Sequence, residues 1–407
     1  MYVYAKVLIY IREGQLFFLG GLIVKFKFGL LARIVTAILL AAILGTFVPE
    51  WFVRIFATFN GLFGNFLNFV VPLIIIGFIA PGIAQLGKGS GKLLALATFF
   101  AYFSTIIAGM LAYLVANSVL PKFISSNAAD NASNPNDFLA KAFFEVEMPP
   151  IMDVMGALIL AFILGVGMTV VKGDVLQRGF EELNAIVEKV ISYIIIPLLP
   201  FHIFGIFLNM TFAGQVVKIL SVFAVVFILI FILHWVIIMF QYSVAGGVNR
   251  KNPLKLIKLM LPAYFTAIGT QSSAATIPVT LRQAKQTGAS DKVTDFTVPL
   301  FATIHLSGST ITIVTCSIGV MLMNGVEFSF ATMIGFVMML GVTMVAAPGV
   351  PGGGVMAAIG LLGSMLGFDE TMIALMIALY MAQDSFGTAA NVTGDGALAM
   401  IVDKFSK

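Results

Sequence analysis

The chain has 407 residues, of which 60% are hydrophobic and only 10% charged, with a mean hydropathy of +1.05. A soluble domain carries roughly 25% charged residues, so the composition excludes an ordinary soluble protein and indicates an all-α polytopic membrane protein. The formal net charge is +4, and the single cysteine, Cys316, lies in an apolar run where it offers neither a disulfide nor a cysteine-based metal site and reads as packing.

Residues 1–27 mix basic and aromatic side chains without a small-residue cleavage site, and read as an interfacial lead-in. Six long uncharged runs follow, at 34–49, 55–87, 93–121, 154–171, 190–217 and 219–249. Each meets the roughly 20-residue helical length needed to span a bilayer. With the N-terminus inside, all of the 23 Lys and Arg except Arg54, Lys122, Lys141 and Lys218 fall on the cytoplasmic side. This is the positive-inside pattern, it puts both termini in the cytoplasm of a cell-membrane protein, and it leaves no need for a nucleic-acid surface. The turn Gly-Lys-Gly-Ser-Gly-Lys at 87–92 lacks Walker spacing, residues 121–150 read as an external loop, and 173–189 form a charged cytoplasmic connection. Pro197 and Pro200 interrupt the fifth run, and His202 and His234 read as packed histidines.

The pattern changes in residues 253–407, which read as a transport core distinct from the six spans of 28–252. Two segments, 255–284 and 330–366, have small-residue or proline-rich centres, Ser272-Ser-Ala-Ala-Thr-Ile-Pro278 and Ala347-Pro-Gly-Val-Pro-Gly-Gly-Gly354. Their halves are too short to cross, and non-helical backbone survives at membrane depth only beside protein or water, so both read as re-entrant hairpins whose tips line a cavity. Each is followed by a helix with a polar interruption, within 293–323 at His305-Leu-Ser-Gly-Ser309 and within 370–404 at Asn391-Val-Thr-Gly-Asp395. Paired interruptions of this kind mark inverted repeats around a binding site near the midplane. On the last helix Asp384, Thr388, Asn391 and Asp395 stand at i, i+4, i+7 and i+11, on one face at about 100° per residue. A carboxylate at bilayer depth costs at least about 2.5 kcal/mol, so two on one stripe mark a site.

These motifs resemble the dicarboxylate and amino acid:cation symporters, the glutamate-transporter-like family, over roughly residues 28–407. The resemblance implies eight transmembrane helices with two re-entrant helical hairpins, and a homotrimer. In it a static scaffold, supplied by most of the spans in 28–252, holds a unit made of both hairpins, the two broken helices and some earlier helices, which carries substrate by an elevator motion with the second hairpin as external gate. It also implies that Asp384 pairs with a substrate ammonium. Thr388, Asn391 and Ser273, with tip backbone at Val350 and Gly354, would hold the carboxylate; Ser272, Ser309 and Gly387 complete the expected substrate site. Asp395, with Asn391 and the backbone or side chains of Phe301, Thr303, His305 and Leu306, would bind Na⁺, a hard ion suited to oxygen ligands. Na⁺ enters as coupling ion, and no cofactor is expected.

Two departures from the family pattern refine this. Dicarboxylate-selective members carry an arginine where this chain has Gly387, and archaeal-type members carry one where it has Gln271. Without a guanidinium a buried acidic side chain goes unpaired, so the expected substrate is a small neutral amino acid such as serine, threonine or alanine. The family's Asn-Met-Asp-Gly-Thr is here His305-Leu-Ser-Gly-Ser309. Ser307 brings no charge, and His305 opens a proton-coupled alternative beside an acidic amino acid or dicarboxylate symporter of the same fold. An intramembrane aspartyl protease is disfavoured because Asp384 and Asp395 lie about 16 Å apart along one helix, too far to share a proton. A channel is disfavoured by a substrate-sized site under two tips, and no enzymatic activity is expected.

Overall fold

The structure, a computed structural model, describes residues 16–19, 22–25, 30–86, 92–124, 140–171, 173–214, 216–345, 347 and 351–406. A short antiparallel hairpin, β1 (Leu16–Leu19) and β2 (Leu22–Lys25), lies within the expected lead-in. Every other regular element described is helical: α1 (Leu30–Leu44), α2 (Glu50–Leu86), α3 (Lys92–Val119), α4 (Val154–Val170), α5 (Val175–Val190), α6 (Ile196–Phe212) and α7 (Val216–Asn249). They are followed by α8 (Pro253–Thr270), α9 (Ser273–Gln286), α10 (Asp291–Ile304), α11 (Ser307–Met323), α12 (Phe330–Met344), α13 (Gly353–Leu366) and α14 (Glu370–Ser406). Most of the 87–92 turn and residues 125–139 of the external loop lie outside the described residues.

Among the described residues, six helical stretches are long and apolar enough to cross a membrane: 50–84, 92–122, 175–212, 219–249, 291–323 and 370–406. Two of the six early runs fold as shorter helices. The 15-residue α1 and 17-residue α4 reach about 22 and 26 Å at 1.5 Å per residue. The fifth run joins α5 to α6 through a single wide π turn, Ile191–Ile195. Pro197 and Pro200 follow it, and a proline lacks the N–H that would continue the regular ladder.

Local chemistry sets both helix–turn–helix units. Asn252 caps α8 by accepting from the N–H groups of Leu254 and Lys255 at 2.9 and 3.3 Å. The helix ends at Gln271, whose φ of +53° reverses the chain, and Ser272 caps α9 by accepting from Ala275 N–H at 3.2 Å. In the second unit Ser329 caps α12, and Gly352, at φ +76°, starts α13. Gly367 closes α13 in a Schellman arrangement, with Phe368 N–H donating to the Leu362 carbonyl at 3.1 Å. In the last turn of α9, Lys285 lies 2.6 Å from Asp295, and that hydrogen bond holds its ammonium above the usual lysine range.

The break at His305 and Leu306 separates α10 from α11. The corresponding expectation for the last helix is corrected: α14 runs unbroken for 37 residues through Asn391-Val-Thr-Gly-Asp395. Polarity there does not require interruption. Gly394 and Gly396 cost only about 1 kcal/mol each in a helix, and their missing side chains admit Gln241 and His305 beside the first and Tyr242 and Met260 beside the second.

Packing divides the helices into two groups. In one, α2 packs on α4, α5 and α6, and α1 on α6; in the other, α14 is surrounded by α3, α7, α8, α9, α10 and α11. Thus α3 and α7, early in the chain, belong with the late elements. Contacts between the groups are sparser, from α13 to α2 and α4 and from α14 to α1 and α6. A strap, residues 140–146, is fastened within the first group. Its Ala140 exchanges hydrogen bonds with the Asn209 amide at 2.8 and 3.0 Å, Phe143 N–H donates to Thr58 Oγ1 at 2.8 Å, and Asn65 Nδ2 donates to the Val146 carbonyl at 2.7 Å.

The backbones of α11 and α14 cross closely. A Cβ on Gly308 would overlap the Gly387 carbonyl and the Ala390 side chain, whereas a Cβ on Gly387 would find ordinary contacts of 3.5 Å or more. Gly308→Ala is therefore expected to lower stability by about 1–3 kcal/mol, and Gly387→Ala to leave it nearly unchanged. Melting temperatures of the two purified variants check this; equal losses would refute it.

Candidate functional site

The residues of α14 from Met372 to Asp403 are nearly all buried, so its polar side chains have protein, not lipid, as their surroundings. Asp384 is 3% exposed, and its Oδ2 accepts the Gly352 N–H of the second tip at 2.8 Å. Two features let the tip come this close. Gly352 adopts the left-handed region, and a Cβ there would stand 2.9 Å from the Met381 sulfur. The Tyr380 hydroxyl, one turn before Asp384, donates to Ser309 Oγ at 3.1 Å. Gly354 is held against Tyr380, whose hydroxyl would be 2.5 Å from any Cβ added there.

Asn391 joins α14 to the first turn of α11. Its Oδ1 accepts the N–H groups of Gly308 and Ser309 at 2.7 and 3.3 Å, and its Nδ2 donates to Ser309 Oγ at 3.0 Å. The break before α11 leaves these N–H groups without helical partners, and α11 has no side-chain cap of its own. Asn391 supplies the cap from another helix. From α7, the buried His234 Nε2 reaches the Gly308 carbonyl at 3.0 Å and Thr312 Oγ1 at 3.2 Å.

About three turns beyond Asp384, Asp395 meets the break itself. His305 Nδ1 lies 2.8 Å from Asp395 Oδ1, and its Nε2 lies 3.1 Å from Ser104 Oγ on α3. Gln241 of α7 donates from Nε2 to Ser104 Oγ at 3.0 Å and to Ser307 Oγ at 3.2 Å. The consistent order is Gln241 N–H to Ser104, Ser104 O–H to His305 Nε2, and His305 Nδ1–H to Asp395. Asp395 thereby uses one oxygen, and no described residue bonds Oδ2. Gln241 Oε1 is buried without a partner, over Gly394. These two oxygens, together with a spare lone pair on the Phe301 carbonyl, are chemically suited to a hard cation. The Phe301 carbonyl accepts one N–H, from His305, whereas the Leu306 carbonyl is filled by both the N–H and the Oγ1–H of Thr310, each at 2.9 Å.

The expected residues thus fall into three kinds. Asp384, Gly354, Ser309 and Asn391 converge on the second tip and the α11 N-terminus, and His305 converges with Asp395. Thr388 and Ser273 are buried, Ser272 serves its own helix as a cap, and Thr303 is exposed with its hydroxyl turned back to the Leu300 carbonyl at 2.8 Å. Val350 lies outside the described residues. Gly387 faces Thr312 Oγ1 and Ser309 N–H, and none of the residues named around Asp384 and Asn391 is Lys or Arg. Tyr380, Gln241 and Ser104 were not anticipated. Tyr380 stands four residues before Asp384 on the same face, and Gln241 is an isolated amide in an apolar helix, so periodicity and the cost of burial carried a signal for both. Ser104 had none.

A family model described as the sodium:dicarboxylate symporter family matches residues 30–405. Among curated proteins, the serine/threonine transporter SstT of Acinetobacter baylyi is 26% identical over 403 residues, covering 93% of this chain and 100% of the relative. The protein of the same name from Streptococcus thermophilus is 25% identical over 389 residues, covering 92% of this chain and 96% of the relative.

Asn391→Ala would leave two N–H groups and a hydroxyl of the buried α11 terminus without their partner. The expected loss is about 1–3 kcal/mol, seen as a lower melting temperature in the purified protein.

Proposed function

Because the chain belongs to the sodium:dicarboxylate symporter family, and is thus a multi-pass membrane transporter of amino acids and not an enzyme, we propose that it imports a small neutral amino acid, serine, threonine or alanine, together with Na⁺. The observation that carries the choice of substrate is a buried carboxylate, Asp384, in a site without a guanidinium. A dry carboxylate is the natural partner of a substrate ammonium. A second carboxylate on the substrate side chain would meet Gly387, Thr312 and Ser309, none of which carries a compensating charge. The names of the relatives agree with this reading.

In this proposal Asp384 receives the ammonium, while Ser309, Asn391, Thr388 and the two tips receive the carboxylate through N–H and O–H donors. For the carboxylate to use the α11 terminus, the Asn391 amide must yield the N–H groups it now caps. Na⁺ binds at Asp395 Oδ2 and neighbouring oxygens. The units α8–α9 and α12–α13 act as re-entrant hairpins, and the group around α14 moves as an elevator against the α1, α2, α4, α5 and α6 scaffold of a homotrimer with cytoplasmic termini. Proton coupling is the second reading, and the 2.8 Å contact between His305 and Asp395 is what favours it.

Proteoliposomes separate these readings. An inward Na⁺ gradient without a pH gradient is expected to drive serine uptake, which excess aspartate does not inhibit and Asp384→Asn abolishes. Uptake that needs a pH gradient instead would replace Na⁺ by H⁺, and a preference for aspartate would refute the missing-guanidinium argument. Gly387→Arg, whose Cβ finds room, is expected to shift competition toward acidic substrates by about tenfold or more, the effect of pairing one buried charge.

A further inference from the structure

From Phe223 to Phe240, α7 is apolar except for His234 and the indole of Trp235. His234 is fully buried where α7 packs against both α11 and α14. Its place is fixed from nearby on the same helix. Phe231 and Phe227 pack edge-to-face on Phe386, the neighbour of Gly387, with ring centroids 5.5 and 5.8 Å apart.

The imidazole has one engaged nitrogen and one orphan. The Gly308 carbonyl, 3.0 Å from Nε2, can only accept, so Nε2 carries the proton. Nδ1 is then a bare acceptor, buried without a partner among the described residues. An unmet buried acceptor is costly, and a leucine in this apolar helix would avoid the cost. Packing alone therefore gives no reason for a histidine, whereas the effect of Nε2 on its neighbours does.

The Gly308 carbonyl has more donors than lone pairs. It accepts the N–H of Thr312, four residues on, as carbonyls inside an α-helix do. The His234 ring and the Thr312 hydroxyl also lie within reach of it, at 3.0 and 3.1 Å. A carbonyl oxygen has two lone pairs, so with both N–H groups in place the Thr312 O–H is free to turn away. Thr312 Oγ1 itself stays 3.2 Å from Nε2. It borders the bare face of Gly387, where a Cβ would lie 3.5 Å from it. Asp384 stands three residues before Gly387, a neighbour on the helix surface, and an ionised carboxylate only accepts. The space beside Gly387 is thus flanked by an acceptor on one side and, because of His234, by a donor on the other. A hydroxyl matches both.

We propose that His234 is a positioning residue for substrate selection: by occupying the Gly308 carbonyl it turns the Thr312 O–H toward Gly387, where it donates to a hydroxyl on the substrate side chain. This rests on the neutral amino acid reading given above and narrows it. Serine and threonine are taken in preference to alanine, which offers Thr312 no acceptor. Without the imidazole the Thr312 O–H returns to the Gly308 carbonyl, and the substrate hydroxyl, with one proton, faces two acceptors.

The test is uptake of serine and of alanine by the full-length protein in proteoliposomes, with inward gradients of both Na⁺ and H⁺ so that the coupling ion does not decide the outcome. In the wild type the ratio of maximal rate to KM is expected to favour serine over alanine by about fivefold or more, the worth of one hydrogen bond. Thr312→Val should bring that preference close to one, and His234→Leu should lower it about threefold or more. His234→Gln, which keeps an N–H within reach of the carbonyl, should retain it. A residue that only packs would affect serine and alanine alike, so an unchanged preference in His234→Leu overturns the proposal. Should that variant fail to fold, Thr312→Val leaves His234 in place, and a preference that survives it is equally fatal. Equal handling of serine and alanine by a wild type that excludes aspartate overturns this inference alone; a wild-type preference for aspartate overturns the substrate reading and this inference with it.

Discussion

A carboxylate or amide buried in a membrane protein must find hydrogen-bond donors, and an intact helix has almost none to offer, because its N–H groups are committed to its own ladder. Only helix beginnings and turns have free N–H groups. That constraint accounts for the assembly around α14. Asp384 takes its donor from Gly352, at the start of α13, and Asn391 takes two from Gly308 and Ser309, at the start of α11. Asp395 has no helix start to use and takes a ring N–H from His305, which occupies the gap between α10 and α11. The interrupted elements are the donors that an uninterrupted polar helix needs.

Much of this was legible in the sequence, for reasons that can be named. The stripe at 384, 388, 391 and 395 follows from helical periodicity and the cost of charge in lipid. The first turn and the break at His305 follow from proline, glycine and hydroxyl residues placed where a spanning helix would be apolar. What misled was reading polarity as interruption in Asn391-Val-Thr-Gly-Asp395. A helix breaks when its ladder loses donors or its backbone is strained, and this segment has neither a proline nor a positive φ. Its glycines instead allow Gln241, His305, Tyr242 and Met260 close approach. That some early helices join the late elements was expected from the family resemblance, but that they are α3 and α7 was not legible, since it depends on packing partners far away in sequence. Ser104 shows the same limit: one serine in a helix acquires meaning only when His305 and Gln241 are brought to it.

Selectivity and packing meet at one crossing. Gly308 lets α11 lie on the Gly387 carbonyl, and Gly387 presents Thr312 and the α11 terminus instead of a side chain of its own. The lack of charge beside Asp384 is therefore built into a helix contact. On the proposed function, a change there would alter which ligand charges can be compensated, and at Gly308 it decides whether the helices fit at all.

The hydrogen bonds that define the two helix groups have a mechanical corollary. Asn209, Asn65 and Thr58 fasten the strap within one group, and Gln241, His305, Asn391 and Tyr242 tie helices within the other. Each group is thus internally cross-braced, whereas the helices that meet across the boundary, α13 with α2 and α4 and α14 with α1 and α6, do so largely through apolar side chains. Apolar contacts are non-directional, and one can be exchanged for another with little change in free energy. If the two groups are displaced against each other as proposed, this boundary resists their separation more than their sliding.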